Sequence, residues 1–337
     1  MSDDATLLGA AMLGALVLYA LFAGADFGAG VWHLLATGPR AHRQRALISQ
    51  AIGPIWEANH VWLILVVVVL FTGFPAAFAQ ISILLHAPLV VLLFAIVLRG
   101  AAFAFRSAAG ERRAEERGWG AVFALSSVVA PLLLGMIIGA LASGQLTQVP
   151  GSELSLRGPW LSGFSLATGV LTLTLFAYLA AVYSTVEASE DPEVGEDFRR
   201  RALITGVLCA PLALLSFLLA ESGAPMLRSA LVGRSWAIPL QGFTAVAAVL
   251  ALVALVRRRY RLARVAAAAQ VSLIVLGWGA AQFPWLVVPT LTLRSASAPV
   301  ATQRLLVWTL IAGAVVLFPS LWVLFRVFKK SARGATL

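Results

Sequence analysis

Nine long apolar stretches run through this sequence, at residues 5–36, 47–72, 78–105, 118–144, 159–188, 198–220, 236–257, 261–286 and 302–328. At a rise of ~1.5 Å per residue, each covers the ~30 Å hydrocarbon core of a bilayer as one helix. Backbone polar groups in lipid have to be satisfied within the segment, which favours helices as the spanning element. The composition agrees, because 60% of the 337 residues are hydrophobic and only 12% are charged, a balance suited to a polytopic membrane protein. The chain therefore reads as an all-α integral membrane protein with nine transmembrane helices.

The net charge of +10 would suit a nucleic-acid partner. Most of the basic residues, however, fall in short segments between the apolar stretches, where they act as topology signals and leave no nucleic-acid surface. Arg40, Arg43 and Arg45 follow the first helix, and Arg106, Arg112, Arg113 and Arg117 follow the third. Arg199 to Arg201 open the sixth, Arg257 to Arg259 with Arg261 and Arg264 join the seventh to the eighth, and Arg326, Lys329, Lys330 and Arg333 close the chain. With nine spans these all lie on one side, which the positive-inside rule makes cytoplasmic. The N-terminus is then outside and the C-terminus cytoplasmic. The single cysteine, Cys209, excludes an intrachain disulfide and a thiolate metal cluster. The N-terminal MSDDATLL is acidic where a signal peptide would be basic, so the first helix is expected to remain in the mature protein. No Gly-rich phosphate loop, zinc spacing or serine nucleophile motif is found, so no metal site is expected.

Ionisable residues inside the stretches carry the functional signal, since a charge deep in a bilayer is expensive and marks an ion or proton route. The second stretch contains Ile52 to Leu63, IGPIWEANHVWL, with Glu57, Asn59 and His60. Read as one helix over 47–72, it places Glu57 ~15 Å from its basic end, with His60 three residues on and on the same face. Asp26 lies in GADFGAG, where Gly24 and Gly28 form a small-xxx-small face that lets another helix approach. Arg99 lies seven residues before Arg106, ~10 Å in from the basic end of the third helix. Two readings are open for each. Glu57 and His60 form either a proton relay or a buried hydrogen-bonded pair that fixes packing. Asp26 is either a relay or entry group or the structural partner of Arg99, and Arg99 reads foremost as a structural counter-ion. His33, His60 and His86 are candidate heme ligands, His60 foremost among them, although a lone intramembrane histidine is more often only hydrogen-bonded. Trp32, Trp56, Trp62, Trp278 and Trp285 read as packing and interfacial anchors. Residues Glu190 to Asp197 read as an acidic loop beside Arg199 to Arg201.

The motifs GADFGAGVW, IGPIWEANHVWLI, FTGFPAAFA, VLRGAAFAFR, GWGAAQFPW and LFPSLWVLF, in this order over nearly the whole chain, resemble subunit II of cytochrome bd-type quinol oxidases. The resemblance implies two four-helix bundles plus one peripheral helix, here residues 1–144, 159–286 and 302–328 of a single membrane domain. It implies a subunit without heme of its own, in the bacterial inner membrane, beside a subunit I that carries hemes b and d. Small single-helix accessory subunits, lipid and quinone are further expected partners. The complex would oxidise quinol and reduce dioxygen to water, and this subunit would scaffold subunit I and supply part of a cytoplasmic proton route. By the same resemblance Asp26 and Arg99 match the family's motif residues, and Glu57 matches an acidic position that is more often Asp. The sequence departs from the usual Trp-Asp-Gly-Asn-Glu-Val-Trp at His60, which stands where the second acidic residue would be, and so reads as a divergent branch. A proton-coupled secondary transporter with a midplane carboxylate and a purely structural assembly subunit are the competing readings.

Overall fold

A computed structural model describes residues 4–52, 56–108, 113–146 and 158–334. The chain forms helices α1 (Asp4–Leu34), α2 (Ala41–Ile52), α3 (Trp56–Gly73), α4 (Pro75–Leu84), α5 (His86–Ala108) and α6 (Arg113–Ala142). They are followed by α7 (Gly163–Glu187), α8 (Pro192–Gly223), α9 (Pro225–Gly233), α10 (Ala237–Val256) and α11 (Tyr260–Gln282). A small antiparallel hairpin of β1 (Trp285–Val287) and β2 (Leu291–Thr292) leads to α12 (Val300–Gly334). Among the described residues, eight helices are long and apolar enough to cross a membrane. A ninth span exists only if α3 and α4, bent by 116° at their junction, count as one.

The fold is helical, as the apolar stretches require, but three boundaries differ from the sequence reading. The stretch 47–72 is two helices, and Glu57 falls in the first turn of α3 instead of ten residues inside a continuous helix. Two sequence features fit this: α2 (AHRQRALISQAI) is too polar to be a span, and Pro54, just before α3, lacks the N–H a continuous helix would need. The stretch 78–105 is likewise divided, with α5 starting only at His86. The acidic segment Glu190–Asp197 is no loop. Asp191 caps α8, its carboxylate accepting from the Val194 N–H at 3.2 Å, and Pro192 occupies the first turn, where a missing N–H is harmless.

Helix α1 is the axis of the packing, contacting α3, α6, α7 and α11, while α7 in turn packs on α6 and α8. The close approach of α1 and α7 depends on Gly28, where a Cβ would collide with the backbone carbonyl of Phe176. Outlying α12 touches α1 and α3 and presents Leu305, Trp308, Val315 and Val316 outward. One hydrophobic core joins α1, α3, α5, α6, α7, α8, α10 and α11, with Leu8, Phe27, Phe123, Tyr178, Leu179 and Leu255 all fully buried.

The same break occurs twice. Helix α3 ends at Gly73 and α4 starts at Pro75, joined by Phe74 with φ −138° and ψ 60°. Helix α8 ends at Gly223 and α9 starts at Pro225, joined by Ala224 with φ −155° and ψ 63°. In each case a glycine ends the longer helix, and a proline at the first helical position starts a short one.

Placing a methyl group at Gly28 should separate α1 from α7. Gly28→Ala is expected to lower the thermal stability of the detergent-solubilised protein by roughly 1–3 kcal/mol or prevent folding. Gly14→Ala, with nothing within 4 Å of its Cβ, should leave melting unchanged.

Candidate functional site

The interior charges meet on α1. Asp26 is buried, as is the Arg99 that reaches it from α5, 1% exposed. Arg99 Nη2 donates to Asp26 Oδ1 at 2.5 Å and to the Asp26 carbonyl at 3.3 Å, and Arg99 Nε donates to Ser127 Oγ on α6 at 3.0 Å. The guanidinium carbon lies 4.8 Å from the Phe27 ring centroid and 4.9 Å from that of Phe123, so the cation lies against two π-systems. Ser127 Oγ donates in turn to the Phe123 carbonyl at 2.7 Å. It can come this close because residue 30 is glycine, since a Cβ there would strike the Ser127 side chain. Three helices thus hold one ion pair, and its charges are compensated by each other and by neutral dipoles.

The carboxylate is used on one side only. Oδ1 is bound to Arg99, whereas Oδ2 is buried without a hydrogen-bond partner among the described residues. His60 on α3 stands nearby, its ring 5.9 Å from Phe27 in an edge-on contact and 6.3 Å from Tyr19. Its Nδ1 is also buried and unpartnered among the described residues. The structure therefore brings Asp26, Arg99 and His60 into one neighbourhood. The side chains of Glu57, Trp56, Asn59 and Arg106 lie outside the described residues. Sequence reasoning missed Ser127 and Tyr19, the latter detectable as a residue seven before Asp26 and so on the same helix face.

The candidate heme ligands have separate surroundings. His33 packs edge-on against Phe123 at 5.8 Å, and His86 is exposed at the start of α5. Among the described residues no three His, Cys, Asp or Glu side chains converge.

At the end of the bundle where α1 leaves and α8 begins, a second polar system joins residues far apart in sequence. Arg40 grips Asp197 with two bonds, Nε to Oδ2 at 2.8 Å and Nη2 to Oδ1 at 2.7 Å, and Gln44 Nε2 adds a third at 2.7 Å. Arg43 pairs with Asp191 and Glu193. Arg201 donates to Gln44 Oε1 at 2.8 Å and covers the Trp32 ring, whose indole N–H donates to the Ala177 carbonyl at 2.7 Å. The acidic segment thus answers mainly the arginines after α1, while Glu196 takes Arg199 and Arg258.

Residues 5–328 match the model of the family described as cytochrome bd terminal oxidase subunit II. The chain belongs to this family. It is 26% identical over 348 residues to a Bacillus subtilis (strain 168) protein that carries the name of a cytochrome bd menaquinol oxidase subunit II, with 98% of this chain and 97% of the relative covered. It is 28% identical to the cytochrome bd-I ubiquinol oxidase subunit 2 of Escherichia coli (strain K12), over 61% of this chain and 53% of that one. A chain of the solved bd oxidase from Geobacillus thermodenitrificans superposes with a TM-score of 0.81 over 97% of this chain and 99% of its own, at 22% identity, a likeness of fold. As a subunit II of a bd terminal oxidase, this is a multi-pass protein of the bacterial inner membrane, part of an oxidoreductase complex.

Two measurements probe these polar systems. Arg99→Leu leaves the Asp26 carboxylate buried and uncompensated, at a cost of roughly 3–5 kcal/mol, and adding Asp26→Asn should recover most of the loss in thermal unfolding. At the bundle end, the hydrogen bond from Arg43 holds the Asp191 carboxyl below the usual carboxylate range. A carboxyl so lowered stabilises the fold above its ordinary value, and that contribution disappears as pH falls through the lowered one. Asp191→Asn keeps a capping side chain. The wild-type protein should therefore lose its melting-temperature advantage over this variant as pH is lowered from 7 to 3.

Proposed function

We propose that this chain scaffolds a heme-bearing subunit I in a quinol oxidase complex and supplies part of its proton route from the cytoplasm. The hemes b and d of subunit I provide the electron transfer from quinol to dioxygen. The contribution of this chain is protonic, since each electron delivered to oxygen on its way to water must be matched by a proton. The supporting observation is the half-used carboxylate of Asp26. Arg99 fixes Oδ1 by a charge-assisted bond, while Oδ2 is left as a buried acceptor. A proton arriving at Oδ2 can be passed to His60, whose imidazole can accept on one nitrogen and release from the other.

Glu57, in the first turn of α3 three residues before His60, belongs to the same route in this reading, near its entry. The orientation read from the basic residues puts the arginine-rich bundle end, and so the entry, on the cytoplasmic side. Quinol as the electron donor is supported by the names of the relatives from Bacillus subtilis and Escherichia coli.

The experiment is made on the assembled complex. Asp26→Asn, Glu57→Gln and His60→Gln should each slow quinol-driven oxygen consumption and proton uptake in proteoliposomes, leaving the heme spectrum of the complex unchanged. Unaltered turnover in all three variants would reduce the chain to a scaffold.

A further inference from the structure

The polar line along α1 does not stop at Asp26. Tyr19 lies seven residues earlier on the same face, about 10 Å nearer the N-terminal end of the helix. It is 3% exposed, and its hydroxyl is buried with no hydrogen-bond partner among the described residues. Its ring lies 6.3 Å from that of His60. His60 meets Phe27 at 5.9 Å, and Phe27 in turn lies under the Arg99 guanidinium. One contiguous cluster on the contact between α1 and α3 therefore contains three buried polar atoms with unmet hydrogen-bonding capacity: Tyr19 Oη, His60 Nδ1 and Asp26 Oδ2.

Roughly 90% or more of buried polar groups have a partner, so three such atoms in one cluster need a common explanation. Their chemistries complement one another through water. A carboxylate oxygen accepts, a phenol both donates and accepts, and an imidazole nitrogen does either according to its protonation. A buried water is held by two to four such groups in roughly this way.

We propose that Tyr19 and His60 hold a short file of water that carries protons from Asp26 outward along α1, with Tyr19 as the positioning residue at its far end. The inference rests on the proton-route reading above and adds a direction to it. Each group accepts a hydrogen on one side as it releases one on the other. One proton passes along the file, His60 and Tyr19 return to their starting states, and no electron moves. N-terminal to Tyr19, the next residues of α1 are Leu18, Val17, Leu16 and Ala15, which offer no polar side chain to continue the line. The proton then leaves α1 at Tyr19.

The test is Tyr19→Phe in the whole complex, which keeps the ring and removes only the hydroxyl. Because the proposed partners of the hydroxyl are waters, its loss should change the melting temperature little. Oxygen consumption should fall about a hundredfold, at the lower edge of what a positioned proton-transfer group contributes, with a larger solvent deuterium isotope effect on turnover. Unchanged turnover and isotope effect would overturn the role of Tyr19. A complex that no longer assembles would overturn it too, because the hydroxyl would then be a structural partner. Asp26→Asn measured alongside separates the two levels. A slow Asp26 variant with a normal Tyr19 variant removes the file and leaves the route, whereas normal turnover in both removes both.

Discussion

A carboxylate and a guanidinium enclosed together in an apolar bundle set the terms for the first half of this molecule. Neither Asp26 nor Arg99 could be buried alone, since an isolated ion in such surroundings is penalised by several kcal/mol even after relaxation. Their pairing requires α1 and α5 to be in register, Ser127 of α6 to reach the guanidinium, and Phe27 and Phe123 to pack against it. Such a pair adds little net stability compared with a hydrophobic replacement. What it adds is an arrangement in which one carboxylate oxygen is fixed and the other left over, an arrangement a tightly satisfied pair would lack.

The arginine-rich end of the bundle has a different character. There the charges are partly exposed, and individual exposed pairs contribute little. Arg40, Arg43 and Gln44 nevertheless converge on Asp191, Glu193 and Asp197 from a point about 150 residues away, and Arg201 and Trp32 tie the same region to α7. These bonds, two of them bidentate, hold α2 and the turn before it against the start of α8. The small residues of α1 do the corresponding work inside the bundle, where Gly28 lets α1 and α7 meet backbone to side of backbone. Position in the membrane is thus set at the surface by charge and in the interior by shape.

The helical membrane fold was legible because hydropathy over twenty or so residues is a strong signal. The meeting of Asp26 with Arg99 was legible as an alternative, since each charge needed a partner and both lay at similar depth. The division of 47–72 was not, although Pro54 and the polar residues of α2 gave the cue: the run contains a short, more polar helix ahead of the apolar α3. The acidic segment was misread as a loop because Asp, Glu and Gly are frequent in turns, and because its partners, Arg40 and Arg43, are remote in sequence. Tyr19 escaped notice for a simpler reason. A single tyrosine in an apolar helix is ordinary, and only the unpartnered hydroxyl beside His60 gives it meaning.

The paired breaks at Phe74 and Ala224 show that α3 to α5 and α8 to α10 repeat one plan, a long helix, a glycine stop, a proline-started short helix and a second span. The two halves share that outline and differ in content. The interior pair Asp26 and Arg99 lies on α1 and α5, whereas α7, α8, α10 and α11 confine their charges to the helix ends. A half whose interior holds no charge packs by shape alone, so it should tolerate apolar exchange more readily than the first.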